Sequence, residues 1–266
     1  MSQGPVAFSL PRLGPVLRVV LIALFAIWLV FALGLNWGDV SLAPFLALTA
    51  DQTALLSGQI WRLATAPLLH APNVVSHILS ALLGLYFLGS TLESRFGSRR
   101  FASFLAWAAV LPYLVQALLL LVLPDSLGQK LAPSSPFGAM PAVEAVAIAW
   151  AYSFRGQTVN LFFVLPVTST GLVWFVVGFS VLALIAGQTP PSGHLALFAG
   201  MGVGYLLGGG TPSPLRRWYL ARRLQGLERE VRSERRGRRS PGASGLRVIP
   251  GGRKPDGDPD DKKLLN

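Results

Sequence analysis

The chain contains no cysteine. That absence removes disulfides, thiolate nucleophiles and thiolate-bound zinc or iron–sulfur centres from consideration. Charge is scarce as well. Only 13% of the 266 residues are Asp, Glu, Lys or Arg, about half of what soluble domains carry. Histidine occurs three times, at His70, His77 and His194, so imidazole chemistry has three candidates. What is plentiful is apolar: 52% of residues are hydrophobic and the mean hydropathy is +0.52. This balance excludes a mainly disordered chain and most soluble enzymes, and points to a polytopic membrane protein.

The charges are unevenly placed. Residues 1–210 hold eight Lys/Arg and five Asp/Glu, whereas residues 211–266 hold fifteen and seven, so +8 of the net +11 lies in the tail. Positive charge beside membrane helices sets their orientation. The tail therefore reads as a solvated cytoplasmic segment, with no nucleic-acid partner expected.

A membrane helix needs about 20 mostly apolar residues. Such runs place six spans, at about 16–36, 74–92, 101–123, 139–154, 171–187 and 193–209. The first 15 residues are too polar and Pro-broken for the apolar core of a signal peptide, and the run after them is too long for one. Six spans put both termini on one side. Arg12, Arg18, Arg95, Arg99, Arg100, Arg155 and the basic tail all fall on that side, while the opposite loops hold Arg62 and Lys130 with Asp39, Asp51 and Asp125. The positive-inside rule makes the termini cytoplasmic, in a bacterial-type inner membrane or a plasma membrane. The expected organisation is a cytoplasmic N-terminus (1–15), a membrane domain (16–210), a basic juxtamembrane helix (211–236) and a disordered tail (237–266).

Two segments are not simple spans. Residues 39–71 form a long amphipathic connection on the outer side, broken by Pro44, Gly58 and Pro67, and are expected as short helices lying in the interface. The β-branched and aromatic run Val159–Val167 is expected to be extended or re-entrant. In the tail, Leu220, Leu224, Leu227 and Val231 fall on one helical face with arginines around them, and Trp218 and Tyr219 stand at headgroup level. Anionic membrane lipid is the expected partner.

Ionisable groups inside spans are costly and mark candidate sites. Here they are His77, Glu144 and His194. Glu144 lies four residues after Met140, on the same helical face, and should point into the bundle. The last span carries Ala196, Gly200, Gly204 and Gly208 at four-residue spacing, a pattern that lets two helix backbones approach closely.

From about Asp51 to Gly208 the chain resembles the rhomboid family of intramembrane serine proteases. The motifs are GQIWRLATAPLLH (Gly58–His70) with its Trp61-Arg62 pair, SHILSALLGLYFLGSTLESRFGSRRF (Ser76–Phe101) with Gly89 and Glu93, GAMPAVEAVAIAWAYSF (Gly138–Phe154) and SGHLALFAGMGVGYLLG (Ser192–Gly208). The resemblance implies an all-α bundle of six transmembrane helices with an amphipathic outer loop after the first. In active rhomboids a serine in Gly-x-Ser-Gly and a histidine from a Gly-rich helix form the dyad, and a histidine and an asparagine of the second span stabilise the oxyanion. Here His194 matches the dyad histidine and His77 the second-span histidine. The asparagine position is Ala81, and the serine motif reads Gly138-Ala139-Met140-Pro141.

A thioether cannot attack a carbonyl and retain an acyl group, and Pro141 has no N–H to offer an oxyanion. The resemblance therefore implies a pseudoprotease that binds, retains or hands over client transmembrane segments. The alternative is an active intramembrane serine endopeptidase with a displaced nucleophile, for which Ser134, Ser135 and Ser192 are candidates. A third reading, a proton-coupled carrier, lacks an inverted repeat. Glu144 is expected to pair with His194 in place of the lost serine–histidine contact. A His77–Glu144–His194 metal or proton site is the competing idea, without a supporting spacing motif. No cofactor and no metal are expected, and the sequence leaves the oligomeric state open.

Overall fold

The computed structural model describes residues 12–161, 165–209 and 213–238. The chain divides into two compact units, residues 1–219 and 220–266. The first contains α1 (Pro15–Trp37), the short helices α2 (Ala43–Leu46), α3 (Gln52–Leu56) and α4 (Arg62–Thr65), a 3₁₀ turn (Ala66–Leu68), α5 (Val75–Phe96), α6 (Ser98–Leu120), α7 (Asp125–Leu131), α8 (Met140–Ser153), the strands β1 (Thr158–Leu161) and β2 (Leu165–Thr168), α9 (Ser169–Ile185) and α10 (His194–Gly208). Helix α11 (Pro214–Arg238) starts in this unit and forms the described part of the second.

Helices α1, α5 and α6 are long and apolar enough to cross a membrane, and α9 and α10 are shorter apolar helices. Helix α8 is the centre of the bundle. Twelve of its 14 residues are buried, as befits a helix that is apolar on every side. Its alanines let neighbours approach closely. On one side α10 lays Gly200 against Pro141, Gly204 against Ala145 and Gly208 against Ala149. A Cβ at Gly200 or Gly204 would run into the Pro141 or Ala145 carbonyl. The small-residue ladder is thus a seam of backbone against backbone, matched in register by α8.

The start of α1 is fixed by Glu93. Its buried carboxylate accepts the Val16 N–H at 3.1 Å, the Leu17 N–H at 2.9 Å and the Ser98 hydroxyl at 2.8 Å. A helix N-terminus leaves its first N–H groups unpaired and carries partial positive charge, so a carboxylate satisfies both needs. Midway along α5 one wide π turn, Leu85–Gly89, lies against α8, and Trp150 of α8 donates to the Thr91 hydroxyl at 2.8 Å.

The connection 39–71 is a chain of short helices, α2, α3, α4 and the 3₁₀ turn. The run expected to be extended forms an antiparallel pair, Thr158 opposite Thr168 and Leu161 opposite Leu165; residues 162–164 lie outside the described residues. The tail helix continues to Arg238, two residues past the expected end at 236. The remainder of the expected disordered segment, 239–266, and residues 1–11 of the expected cytoplasmic N-terminus lie outside the described residues.

Candidate functional site

The entry to α8 is pinned from three directions. The Ala50 N–H donates to the Pro136 carbonyl (2.9 Å), the Phe137 N–H to the Pro191 carbonyl (3.0 Å) and the Gly138 N–H to the Ala66 carbonyl (3.0 Å). The buried Tyr113 hydroxyl donates to the Gly138 carbonyl at 2.7 Å. Gly138 has φ +117°, and a Cβ there would stand 3.1 Å from His77 Nε2. Only glycine meets both conditions.

Met140 opens α8 and is half-buried. Its sulfur lies 4.0 Å from the Ser80 hydroxyl, which is exposed on α5 and donates to the Ser76 carbonyl at 2.8 Å. His77 Nδ1 accepts the Ala71 N–H at 3.0 Å, which leaves the ring proton on Nε2. That Nε2 is buried without a partner beside Gly138. One unpaired donor therefore stands at the entry to α8. Around it Ala81 is buried and apolar, Pro141 has no N–H, and the Gly138 N–H is bound to the Ala66 carbonyl.

His194 begins α10 after Gly193, whose φ is +83° and whose Cβ would press on Gln116 and Ala132. Gln116 Oε1 accepts the Ala196 N–H at 2.9 Å and so caps the helix. His194 Nε2 meets the Gln188 carbonyl at 2.6 Å. A carbonyl only accepts, so the ring proton sits on Nε2 and the buried Nδ1 has no partner. Among the described residues no hydroxyl is hydrogen-bonded to His194. Ser134 is exposed and Ser135 half-buried in the loop before α8, and Ser192 is buried with its hydroxyl unpaired. Ser80 is the serine whose hydroxyl meets the Met140 sulfur; its position three residues after His77 gives no sign of this, because α8 brings the two together.

Glu144 corrects an expectation. It does not pair with His194. Its Oε1 accepts the Ser180 hydroxyl of α9 at 3.0 Å, and its Oε2 is buried without a partner. The side chain points toward α9, whereas His194 is held by its own preceding loop. Nor are His77, Glu144 and His194 gathered: among the described residues no group of three or more His, Asp or Glu is placed to hold a metal ion.

The Trp61-Arg62 pair shapes the connection between α1 and α5. Arg62 donates to the Leu46 carbonyl (2.9 Å), the Thr49 carbonyl (3.1 Å) and the Gln59 side chain (2.8 Å), while Trp61 is exposed. Burial pushes the Asp51 carboxyl up, but the Thr53 hydroxyl, the Ala54 N–H and the Arg62 charge outweigh it and hold it below its ordinary range. His70 is fully buried, its ring 5.0 Å from that of His77. Burial, then repulsion from His77, lowers its pKa to about 4, with the Leu68 backbone opposing weakly, so His70 is neutral at pH 7.

A family model of the rhomboid domain matches residues 57–211, more than half of the chain. No curated protein matches it. The matched residues take in the Trp61-Arg62 connection, the Glu93 cap on α1, the Met140 entry to α8 and the glycine seam of α10. The chain belongs to the rhomboid family and is an integral, multi-pass membrane protein.

Proposed function

We propose that this rhomboid-family protein is a pseudoprotease that binds or retains client transmembrane segments. The observation that carries the reading is the pair Met140 and His194. The position where the family keeps its nucleophile holds a thioether, and the imidazole that would activate a nucleophile gives its Nε2 proton to the Gln188 carbonyl. Binding capacity is supported by His77. Its Nε2–H is buried, unpaired and beside Gly138, and can donate to a backbone carbonyl of an extended client segment. A client held there meets one hydrogen-bond donor and no nucleophile, so it is retained uncut.

In this reading all six apolar helices cross the membrane, both termini are cytoplasmic, and the basic helix α11 lies on anionic lipid. Its exposed Leu220, Leu224, Leu227 and Val231 supply the apolar face.

The test uses the full chain in membranes with a fluorophosphonate probe and a single-span reporter. No labelling and no cleavage are expected, together with crosslinking of the reporter that falls in His77→Ala. Labelling abolished by alanine at Ser80, Ser134, Ser135 or Ser192 identifies a displaced nucleophile and overturns the reading in favour of an active endopeptidase. Restoring the family pattern by Met140→Ser, Pro141→Gly and Ala81→Asn asks whether the remaining site still supports cleavage.

A further inference from the structure

Between α3, the C-terminal half of α6, α7 and the loop leading into α8 lies a cavity of about 340 Å³. Its polar lining is acidic and amide-rich. Asp51, which caps α3, and Asp125, in the first turn of α7, contribute carboxylates, and Gln129 and Ser134 contribute neutral oxygens. Among the described residues no Lys, Arg or His lines it.

Gln116 of α6 also lines the cavity and is 1% exposed. Its Oε1 accepts the Ala196 N–H, and its Nε2 is buried without a partner. An orphaned buried donor costs about 1–3 kcal/mol, so an acceptor entering the cavity relieves it. Asp51 accepts the Thr53 hydroxyl and the Ala54 N–H on its Oδ1. The Arg62 charge helps to keep it ionised, but Arg62 donates to Leu46, Thr49 and Gln59 and does not line the cavity. Arg62 and the first turns of α3 and α7 offset part of the negative charge. Selection therefore rests on hydrogen-bond type as well as on charge. The lining offers several acceptors, two of them carboxylates, and one unpaired amide donor around a single space.

The cavity borders an apolar band. Leu120 and Leu123 line it, while Leu118, Leu119, Leu121 and Val122 of the same stretch are exposed, and α6 is long and apolar enough to cross a membrane. Acyl chains laid along that band bring a headgroup to the cavity. We propose that the cavity binds a primary ammonium with a neighbouring phosphate oxygen, presented either by an ethanolamine phospholipid headgroup or as free phosphoethanolamine. The ammonium has three N–H donors for Asp51, Asp125 and Ser134, and the phosphate oxygen accepts from Gln116 Nε2. A choline headgroup keeps the charge but has no N–H, and a glycerol headgroup has no cation. The proposal does not depend on client binding at the entry to α8.

The full-length protein is purified, stripped of lipid and placed in phosphatidylcholine nanodiscs containing phosphatidylethanolamine, its N-methyl or N,N-dimethyl derivative, or phosphatidylglycerol. Native mass spectrometry reads the retained lipid, and the melting temperature is measured with added phosphoethanolamine or phosphocholine. Retention is expected to fall stepwise as methyl groups replace N–H, roughly tenfold between the ethanolamine and choline lipids. The Asp51→Asn, Asp125→Asn double variant should lose this selectivity; asparagine still accepts from the Ala54 N–H, so α3 keeps its cap. Asp39→Asn, which removes an exposed carboxylate outside the cavity, should leave the selectivity unchanged. A rise in melting temperature with phosphoethanolamine alone, without lipid selectivity and lost in the double variant, supports the site and names the free amine as its ligand. Selectivity that persists in the double variant overturns the proposal, as does equal retention of the ethanolamine and choline lipids with no response to phosphoethanolamine. If the double variant does not fold, Ser134→Lys decides: it tethers an ammonium at an exposed loop position while keeping both carboxylates, and unchanged lipid selectivity and phosphoethanolamine response then refute the site.

Discussion

Helix α8 has two very different neighbours. Against α10 it packs backbone to backbone, with Gly200, Gly204 and Gly208 laid on Pro141, Ala145 and Ala149. Against α9 it packs through side chains, and the only buried residues of α9 are Ser169, Leu172 and Ser180. Trp174, Phe179, Leu182 and Ile185 of α9 face outward. In a membrane, apolar side chains gain little by leaving lipid for protein, so association depends on close packing and hydrogen bonds. The α8–α10 seam has close packing along its whole length. The α8–α9 contact relies on a few small contacts and one polar tie, Ser180 to Glu144. The two contacts should therefore differ in strength, with α9 the more easily moved of the two neighbours.

The sharpest way to break this comparison is Gly204→Val. The added side chain meets the Ala145 carbonyl, backbone cannot yield, and the seam must open. A loss of more than about 3 kcal/mol, or failure to fold, is expected from overpacking of this kind; a thermal melt in detergent within a degree or two of wild type would show the seam to be dispensable.

The connection between α1 and α5 offers a test by pH. His70 has its pKa lowered to about 4 in the fold against about 6.5 in an unfolded chain. The unfolded state then binds the proton first as pH falls. Stability from this group is complete above pH 6.5 and declines between about 6.5 and 4, by up to about 3 kcal/mol. Melting temperature should drop over that window in wild type, and His70→Gln should flatten the drop.

Ser180→Ala removes the one hydroxyl that Glu144 binds. A cost of about 1 kcal/mol is expected, and Glu144→Gln, which can still accept from Ser180, should cost less than Glu144→Ala. A Ser180→Ala effect as large as that of Gly204→Val would erase the distinction between the two contacts. The smallest effect belongs to Trp174→Ala on the outer face of α9, within about 0.5 kcal/mol in detergent; a larger loss would mean that this face is covered by protein.

Much of this was legible in the sequence. The six apolar runs fall on α1, α5, α6, α8, α9 and α10 within a few residues, and three of these helices, α1, α5 and α6, are long and apolar enough to cross a membrane. The four-residue glycine spacing announced the α10 seam, since periodicity fixes which residues share a face. Glu144 shows where such reasoning ends. Its face of α8 was readable, but α9 and α10 both border α8, and the choice between Ser180 and His194 depends on how those helices rotate. The sequence likewise gave no hint that Ser80 would meet Met140.

By itself the amino-acid sequence determined that this is a basic, cysteine-free, multi-pass membrane protein with a thioether, Met140, in the motif Gly138-Ala139-Met140-Pro141. Those properties follow from local composition, spacing and residue identity. Only the tertiary structure decided that His194 bonds the Gln188 carbonyl, that His77 keeps a free donor beside Gly138, and that Asp51, Gln116 and Asp125 line one cavity. Each of these joins residues from separate elements, and hydrogen-bond direction and charge convergence are set by how helices pack against one another rather than by anything encoded within one of them.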